Sequence, residues 1–187
     1  MKHKFKAIEE VVEENGYSKE LANVLVNLYK FMQQKQWWGA CHASTSVLYV
    51  ALKEIGLDPI ICIGEVQKSN FLFDHSWIEL DNKKIDLSIS MTLASGMPVN
   101  APVILDIDLE TGEKNTIKYG VKGNGLDNEA LFITEYPFDL YMDMFPDNSN
   151  GLWGIVEEIL NIKMDIDKFK EKYKNVQRRI ISNKVGS

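Results

Sequence analysis

Asp74-His75-Ser76-Trp77-Ile78-Glu79-Leu80-Asp81-Asn82-Lys83-Lys84-Ile85-Asp86-Leu87 is the stretch whose reading decides the fold. Apolar and polar residues alternate on both sides of Asp81-Asn82, a dipeptide suited to a tight turn. The segment therefore predicts a β-hairpin with strands over roughly 74–80 and 83–89. Parity then carries chemical information. A two-residue turn pairs Leu80 with Lys83 and sets Trp77 opposite Asp86. His75 and Asp86 become diagonal neighbours on one face, roughly 7–8 Å apart at the backbone and within side-chain reach. Ile78, Leu80, Ile85 and Leu87 share the other face. A turn of odd length would separate the imidazole from the carboxylate.

Working towards the N-terminus, Pro59 opens a β-rich run, Ile60-Ile61-Cys62-Ile63-Gly64-Glu65-Val66. Before it, a helix is predicted from Ala40 or Cys41 to Ile55, with Gly56 as its stop. Its apolar stripe is Val47, Leu48, Ala51, Leu52 and Ile55. Extended backwards through Ser44, this stripe reaches Cys41. Cys41 is thus expected to face inward at a helix start, where the helix dipole and free backbone N–H groups favour a thiolate. Residues 5–14 and 18–34 read as two further helices, the second with Ser18 as N-cap.

Towards the C-terminus, 90–101 reads as a loop around Gly96-Met97-Pro98. Residues 102–121 read as a second hairpin, with strands 103–107 and 116–119 and a turn at Thr111-Gly112. Residues 130–145 fit strand or helix equally. Helices are expected over 149–162, capped by Ser149 or Asn150, and over 165–182, capped by Asp165. The fold class expected is α+β in a single domain over 1–187, an antiparallel sheet packed on the helix that carries Cys41.

Cys41, His75 and Asp86 are, in that order, the parts of a nucleophile–base–orienter triad. The thiol attacks a carbonyl, the imidazole takes a proton, and the carboxylate fixes the imidazole tautomer. Asp74 and Glu79 compete with Asp86 as orienter. Cys62, in an apolar strand, is expected to be core, and His42 to point elsewhere on its helix. A metal held by Cys41, His42 and His75 would need a fourth ligand and would have to chelate through adjacent residues, so no metal and no cofactor are expected. An oxyanion hole needs two donors. The Cys41 backbone N–H is the natural first, and Gln34, Gln36, Trp37 or Trp38 could supply the second. Gln36, Trp38 and Trp77 are taken as the oxyanion or substrate-binding candidates; the ordinary alternative for Trp37 and Trp38 is packing.

These residues together resemble the transglutaminase-like cysteine enzymes, which share the Cys–His–Asp arrangement of papain-type proteases. The shared pattern is Gly39-Ala40-Cys41 at a helix start, a helix of about four turns ending at Gly56, the strand Ile60–Ile63 with Gly64, His75-Ser76-Trp77 on the next strand, and Asp86 on the one after. The resemblance spans residues 37–89. It extends to the peptidases that remove leader peptides in lasso-peptide biosynthesis. Arylamine N-acetyltransferases share the triad, but the Arg-Gly-Gly lead-in expected of them is absent. Leu87-Ser88 stands where the family often has a Pro- or Thr-containing loop. The resemblance implies a thiol-dependent amide or peptide hydrolase, or an acyl transferase. The rival readings are a non-catalytic binding module on the same fold and a partner-binding protein whose function lies in residues 90–187.

Composition narrows the partners. The 187 residues are 45% hydrophobic with a formal net charge of −6, enough apolar content for a core and a balance that argues against a nucleic-acid surface. Residues 101–160 hold twelve acids and three lysines, whereas 163–184 hold eight bases and three acids. A solvated basic helix against an acidic neighbour is the simplest account, and contact of that helix with an acidic protein partner is the alternative. The N-terminal sequence lacks an apolar run of signal-peptide length, and no stretch is apolar enough to span a membrane. With two cysteines and no CxxC spacing, the expectation is a cytoplasmic protein without membrane contact, acting on a peptide or amide substrate.

Overall fold

The structure, a computed structural model, describes residues 2–92, 98–145 and 149–182. The chain forms α1 (Lys2–Glu14), α2 (Lys19–Lys35) and α3 (Cys41–Glu54), then β1 (Ile60–Lys68), β2 (Phe71–Leu80) and β3 (Lys83–Ile85), with a 3-10 turn at Ser88–Met91. After β4 (Val103–Ile104), β5 (Ile107–Asp108) and β6 (Lys118–Val121) come α4 (Asn128–Glu135), α5 (Phe138–Asp143), α6 (Gly151–Leu160), α7 (Ile166–Tyr173) and β7 (Arg179–Ile180). The class is α+β. The main sheet runs β3-β2-β1-β6 with antiparallel pairing, and β7 joins β1 in parallel. Among the described residues no helix is long and apolar enough to cross a membrane.

The hairpin has the expected register. Leu80 pairs with Lys83, Glu79 with Lys84 and Ile78 with Ile85. Asp81 and Asn82 both adopt positive φ, 50° and 63°, the two left-handed positions of a type I′ turn whose twist matches that of the strands. The two faces separate two cores. Ile61, Ile78, Leu80, Ile85 and Leu87 pack with α1–α3, α5 and α6. Cys62, Val66 and Trp77 pack on the opposite side with Ile89, Val103, Ile117 and Tyr119. The α3 stripe is buried along Val47, Leu48, Ala51 and Leu52, as its helical spacing requires.

The second half departs from the sequence reading. Strands 103–107 and 116–119 do not form one hairpin. Leu105 and Asp106 take positive φ, 51° and 70°, so the chain reverses there and β4 pairs with β5. Lys118 and Tyr119 pair instead with Gln67 and Val66 of β1. A non-local edge was available, and it buries Tyr119 beside Trp77. Residues 130–145 are helical, as α4 and α5. Of the loop placed over 90–101, Gly96 and Met97 lie outside the described residues. The last helix begins as expected, with Asp165 accepting from Lys168 N–H, but ends at Tyr173 rather than running to 182. Lys170 and Lys172 of α7 pair with Asp143 and Glu54, which is the acidic-neighbour arrangement.

The tail after α7 is held by a buried guanidinium and a strand. Arg178 donates to the Ile133 carbonyl at 3.0 Å and to Ser46 Oγ at 3.2 Å and lies over the Tyr141 ring, 4.6 Å from its centroid. Ile180 then pairs with Ile63, and Ile181 N–H donates to the Ile63 carbonyl. Gly64 permits this close approach, because a Cβ there would stand 2.4 Å from the Ile181 carbonyl oxygen and 3.2 Å from the Trp77 ring. Gly64→Ala is expected to push the tail off β1 and cost about 1–3 kcal/mol. Urea unfolding should show the loss, and limited proteolysis should show faster cleavage after Tyr173; unchanged stability and cleavage would contradict this packing role.

Candidate active site

The site forms where β3 stops. β3 pairs only with residues 78–80 of β2, so β2 has no strand partner on that side around Phe73–His75. The start of α3, the 3-10 turn and the start of α4 gather along this edge. They enclose a cavity of about 320 Å³ lined by Gly39, Cys41, His42, Phe73, Asp74, His75, Ser88, Met91, Thr92, Asp127 and Glu129.

Cys41 is the first residue of α3 and is half-buried. Gly39 turns the chain into the helix at φ 70° and anchors it by donating to the Met91 carbonyl at 2.8 Å, a left-handed conformation that glycine adopts without strain. The N-cap is Ala40, with no side-chain cap bond. By contrast, Asp127 and Asp165 cap α4 and α7 with their carboxylates. The helix start beside Cys41 therefore keeps donors available for an anion.

His75 and Asp86 meet on the face that the hairpin parity assigns them. His75 Nε2 donates to Asp86 at 2.9 Å (Oδ2) and 3.0 Å (Oδ1). Both side chains are buried. With Nε2 on the carboxylate, Nδ1 is the ring nitrogen left free, and Cys41 and His75 line the same cavity. Asp86 accepts three further hydrogen bonds, from Ser88 Oγ (3.0 Å), Ile89 N–H (3.0 Å) and Tyr119 Oη (3.0 Å). Asp86 is thus the carboxylate that orients His75. Asp74 bonds Asp127 N–H instead, and Glu79 receives Trp77 Nε1–H at 3.4 Å.

The electrostatics follow from these contacts. Burial opposes ionisation of Cys41, but the His42 and His75 rings outweigh it and lower the thiol from 9.0 to about 5. Burial likewise opposes a charge on His75, and Asp86 with Cys41 outweighs it, raising the ring from 6.5 to about 10. Together these favour a thiolate–imidazolium pair over a wide range around neutrality. Cys62 behaves in the opposite way, its burial with the Glu79 charge pushing the thiol up to about 12.

The sequence reading needs correction in two places. His42 does not point away from the site. It lines the cavity, and its Nδ1 shares a 2.7 Å hydrogen bond with Ser76 Oγ. The candidates for a second oxyanion donor are not brought to the thiol. Gln36 is the exposed C-cap of α2 with φ 48°. Trp38 is 44% exposed and lines a different cavity with Ser90 and Asp108. Trp77 is fully buried against Tyr119. Gln34 faces a groove between α2 and α6, and Trp37 packs between Phe31 and Phe145. Glutamine and tryptophan near a nucleophile are useful donors only if the chain turns them inward, and the left-handed turn at Gln36 sends these side chains elsewhere. Ser88 and Tyr119 were missed. Ser88 is legible in retrospect as the third residue of Asp86-Leu87-Ser88, a spacing that suits a side-chain bond back to the Asp. Tyr119 depends on the β1–β6 pairing and has no local signal. Among the described residues no cluster of His, Cys, Asp and Glu is arranged to hold a metal ion.

Comparison of the chain with known families, with curated proteins and with solved structures found no match.

The two thiols should separate cleanly in solution. Alkylation of Cys41 by iodoacetamide is expected to rise through pH about 5 and stay level towards pH about 10, while Cys62 stays unreactive. His75→Ala should move the Cys41 inflection upward. Peptide mass spectrometry of the time course at each pH checks this; a single inflection near the ordinary thiol value would show that the site does not activate the sulfur.

Proposed function

We propose that the protein is a thiol-dependent amide hydrolase of transglutaminase-like type, with Cys41 as nucleophile, His75 as general acid and base, and Asp86 as orienter. The observation that carries this is the buried His75–Asp86 pair at 2.9 Å, with Cys41 at a helix start lining the same cavity. A buried histidine bonded to a carboxylate could serve structure alone, but here its ring lines a cavity with a cysteine whose thiol the His42 and His75 rings lower against burial.

The chemistry runs in two halves. The Cys41 thiolate attacks the amide carbon, forming a C–S bond while the carbonyl electron pair moves onto oxygen. Backbone N–H groups at the uncapped start of α3, that of Cys41 first, stabilise this oxyanion. Its collapse breaks the C–N bond, and the imidazolium Nδ1 gives its proton to the leaving nitrogen. The neutral imidazole then takes a proton from water as the water oxygen attacks the thioester. The acid leaves, the C–S bond breaks, and the thiolate–imidazolium pair is restored. Hydrolysis is favoured over transfer because water needs no second binding site. No step calls for a cofactor.

An activated ester tests this without knowledge of the natural substrate. With p-nitrophenyl acetate, a burst of p-nitrophenol and an acetyl adduct on Cys41 are expected. Cys41→Ala should abolish both, and Asp86→Asn should slow acylation by about 10²–10⁴-fold with the fold retained by circular dichroism. Acetylation that persists in Cys41→Ala, or is indifferent to Asp86→Asn, would reject the triad reading.

A further inference from the structure

The wall of the cavity facing Cys41 carries a charge pattern that the chemistry of acyl transfer does not require. Asp74, Asp127 and Glu129 all line it, and no lysine or arginine does among the described residues; the basic side chains present are the imidazoles of His42 and His75. Two of these carboxylates are fixed by backbone. Asp74 Oδ2 accepts from Asp127 N–H at 2.7 Å, and Asp127 Oδ1 accepts from Ala130 N–H at 2.9 Å. The second oxygen of each is not used in these bonds. Asp74 is half-buried. Burial, with the Asp127 and Glu65 charges close by, pushes its carboxyl up from the ordinary value, against the pull of the Asp127 N–H. Glu65 cannot serve as a ligand here, because its carboxylate is consumed by the N–H groups of Gly123, Asn124 and Gly125 at 2.7–3.0 Å.

A second, independent observation lies on the same cavity. Thr92 lines it and is 6% exposed, and its Oγ1 is buried with no hydrogen-bond partner among the described residues. A buried hydroxyl without a partner costs roughly 1–3 kcal/mol, and a ligand N–H donor would remove that cost. Carboxylates with spare oxygens call for a multivalent N–H donor with a positive charge, and the Thr92 hydroxyl, which can donate or accept, can take one of that group's N–H bonds.

We propose that this cavity binds an ammonium or guanidinium group, so that the protein acts on acyl substrates carrying a lysine or arginine side chain next to the reacting carbonyl. This rests on the thiol-enzyme reading of the same site. The approximate volume of 320 Å³ holds one such side chain beside the thiolate.

Charged methanethiosulfonates test it directly. In each, the thiolate attacks the sulfenyl sulfur, a mixed disulfide forms and methanesulfinate leaves, so the aminoethyl and sulfonatoethyl reagents compare opposite charges on the same two-carbon arm. Rates at Cys41 for the 2-aminoethyl, methyl and 2-sulfonatoethyl reagents are divided by those of N-acetylcysteine. The cationic reagent should exceed the anionic one by about tenfold or more at low salt, and the excess should shrink as salt rises. Asp74→Asn and Glu129→Gln should each lower the cationic-to-neutral ratio by about threefold or more; Glu129 lies on an exposed turn of α4, so its variant tests the charge even if Asp74→Asn disturbs the fold. In a second arm, Nα-acetyl-lysine amide should protect Cys41 from iodoacetamide better than Nα-acetyl-norleucine amide. Stronger protection by alanine amide would support the cation and assign it to a peptide N-terminus instead. Fast labelling without charge preference, or equal effects of the lysine and norleucine amides, overturns the proposal alone. Labelling no faster than N-acetylcysteine by every reagent overturns the thiol-enzyme reading, and this one with it.

Discussion

The Asp86 carboxylate is the contact on which the rest of the site depends. It is buried, and a buried charge is tolerated only when its lone pairs are occupied. Here four donors occupy them: His75 from β2, Ser88 and the Ile89 N–H from the 3-10 turn, and Tyr119 from β6. Its backbone also exchanges two hydrogen bonds with Val103. One residue therefore ties together a hairpin, the turn that follows it, and, through its side chain and its backbone, two segments from the second half of the chain. The same bonds leave His75 little freedom to rotate, and they fix which ring nitrogen is left free.

The second constraint is the early end of β3. Had it continued, its backbone would have covered the β2 edge around His75, and a helix start could not have reached that edge. The chain instead leaves the sheet after Ile85 and coils into the 3-10 turn, whose Met91 carbonyl takes the Gly39 N–H. This bond docks the start of α3 at the exposed edge. A histidine pointing to one face of the sheet and a helix packed on the other can then meet, because they meet at the rim. Charge pairing within the cluster opposes the cost of removing Cys41 and its neighbours from water.

What the sequence made legible was local. The alternation on either side of Asp81-Asn82 gave the register, and the register put His75 and Asp86 on one face. The periodicity of Val47 to Ile55 gave α3 and its phase. What was not legible required contacts between distant segments. Lys118–Val121 is as suited to pair with 103–107 as with β1; only the burial of Tyr119 against Trp77 and Asp86 separates the two. Arg178-Arg179-Ile180-Ile181 continues a helical charge pattern, yet it becomes strand because the β1 edge at Cys62 and Ile63 is vacant and Gly64 lets the tail approach. His42 was assigned by helical phase to another face, which holds in mid-helix but fails at a first turn projecting over a sheet edge. Trp37 and Trp38 are turned aside for a related reason: one left-handed residue, Gln36, reorients the chain just before Cys41.

The division of labour between the halves of the chain follows from this geometry. Cys41, His75 and Asp86 come from the first half, and the resemblance to transglutaminase-like enzymes is confined to it. Two of the three wall carboxylates, Asp127 and Glu129, come from the start of α4, in the acidic half. That helix is positioned by contacts that avoid the triad: Ala130 and Ile133 pack on Ile63, Asp74 takes the Asp127 N–H, and Glu65 holds the preceding turn through three N–H groups. Substitutions on the cavity side of α4 can therefore change what the cavity accepts while the Asp86 network is untouched. Substitutions among the donors to Asp86 cannot be so confined, since each also joins elements of the fold. The charge at Glu129 can therefore vary with the ligand, whereas Asp127 also caps α4, and Ser88 and Tyr119 are held by their bonds to Asp86 and by packing together.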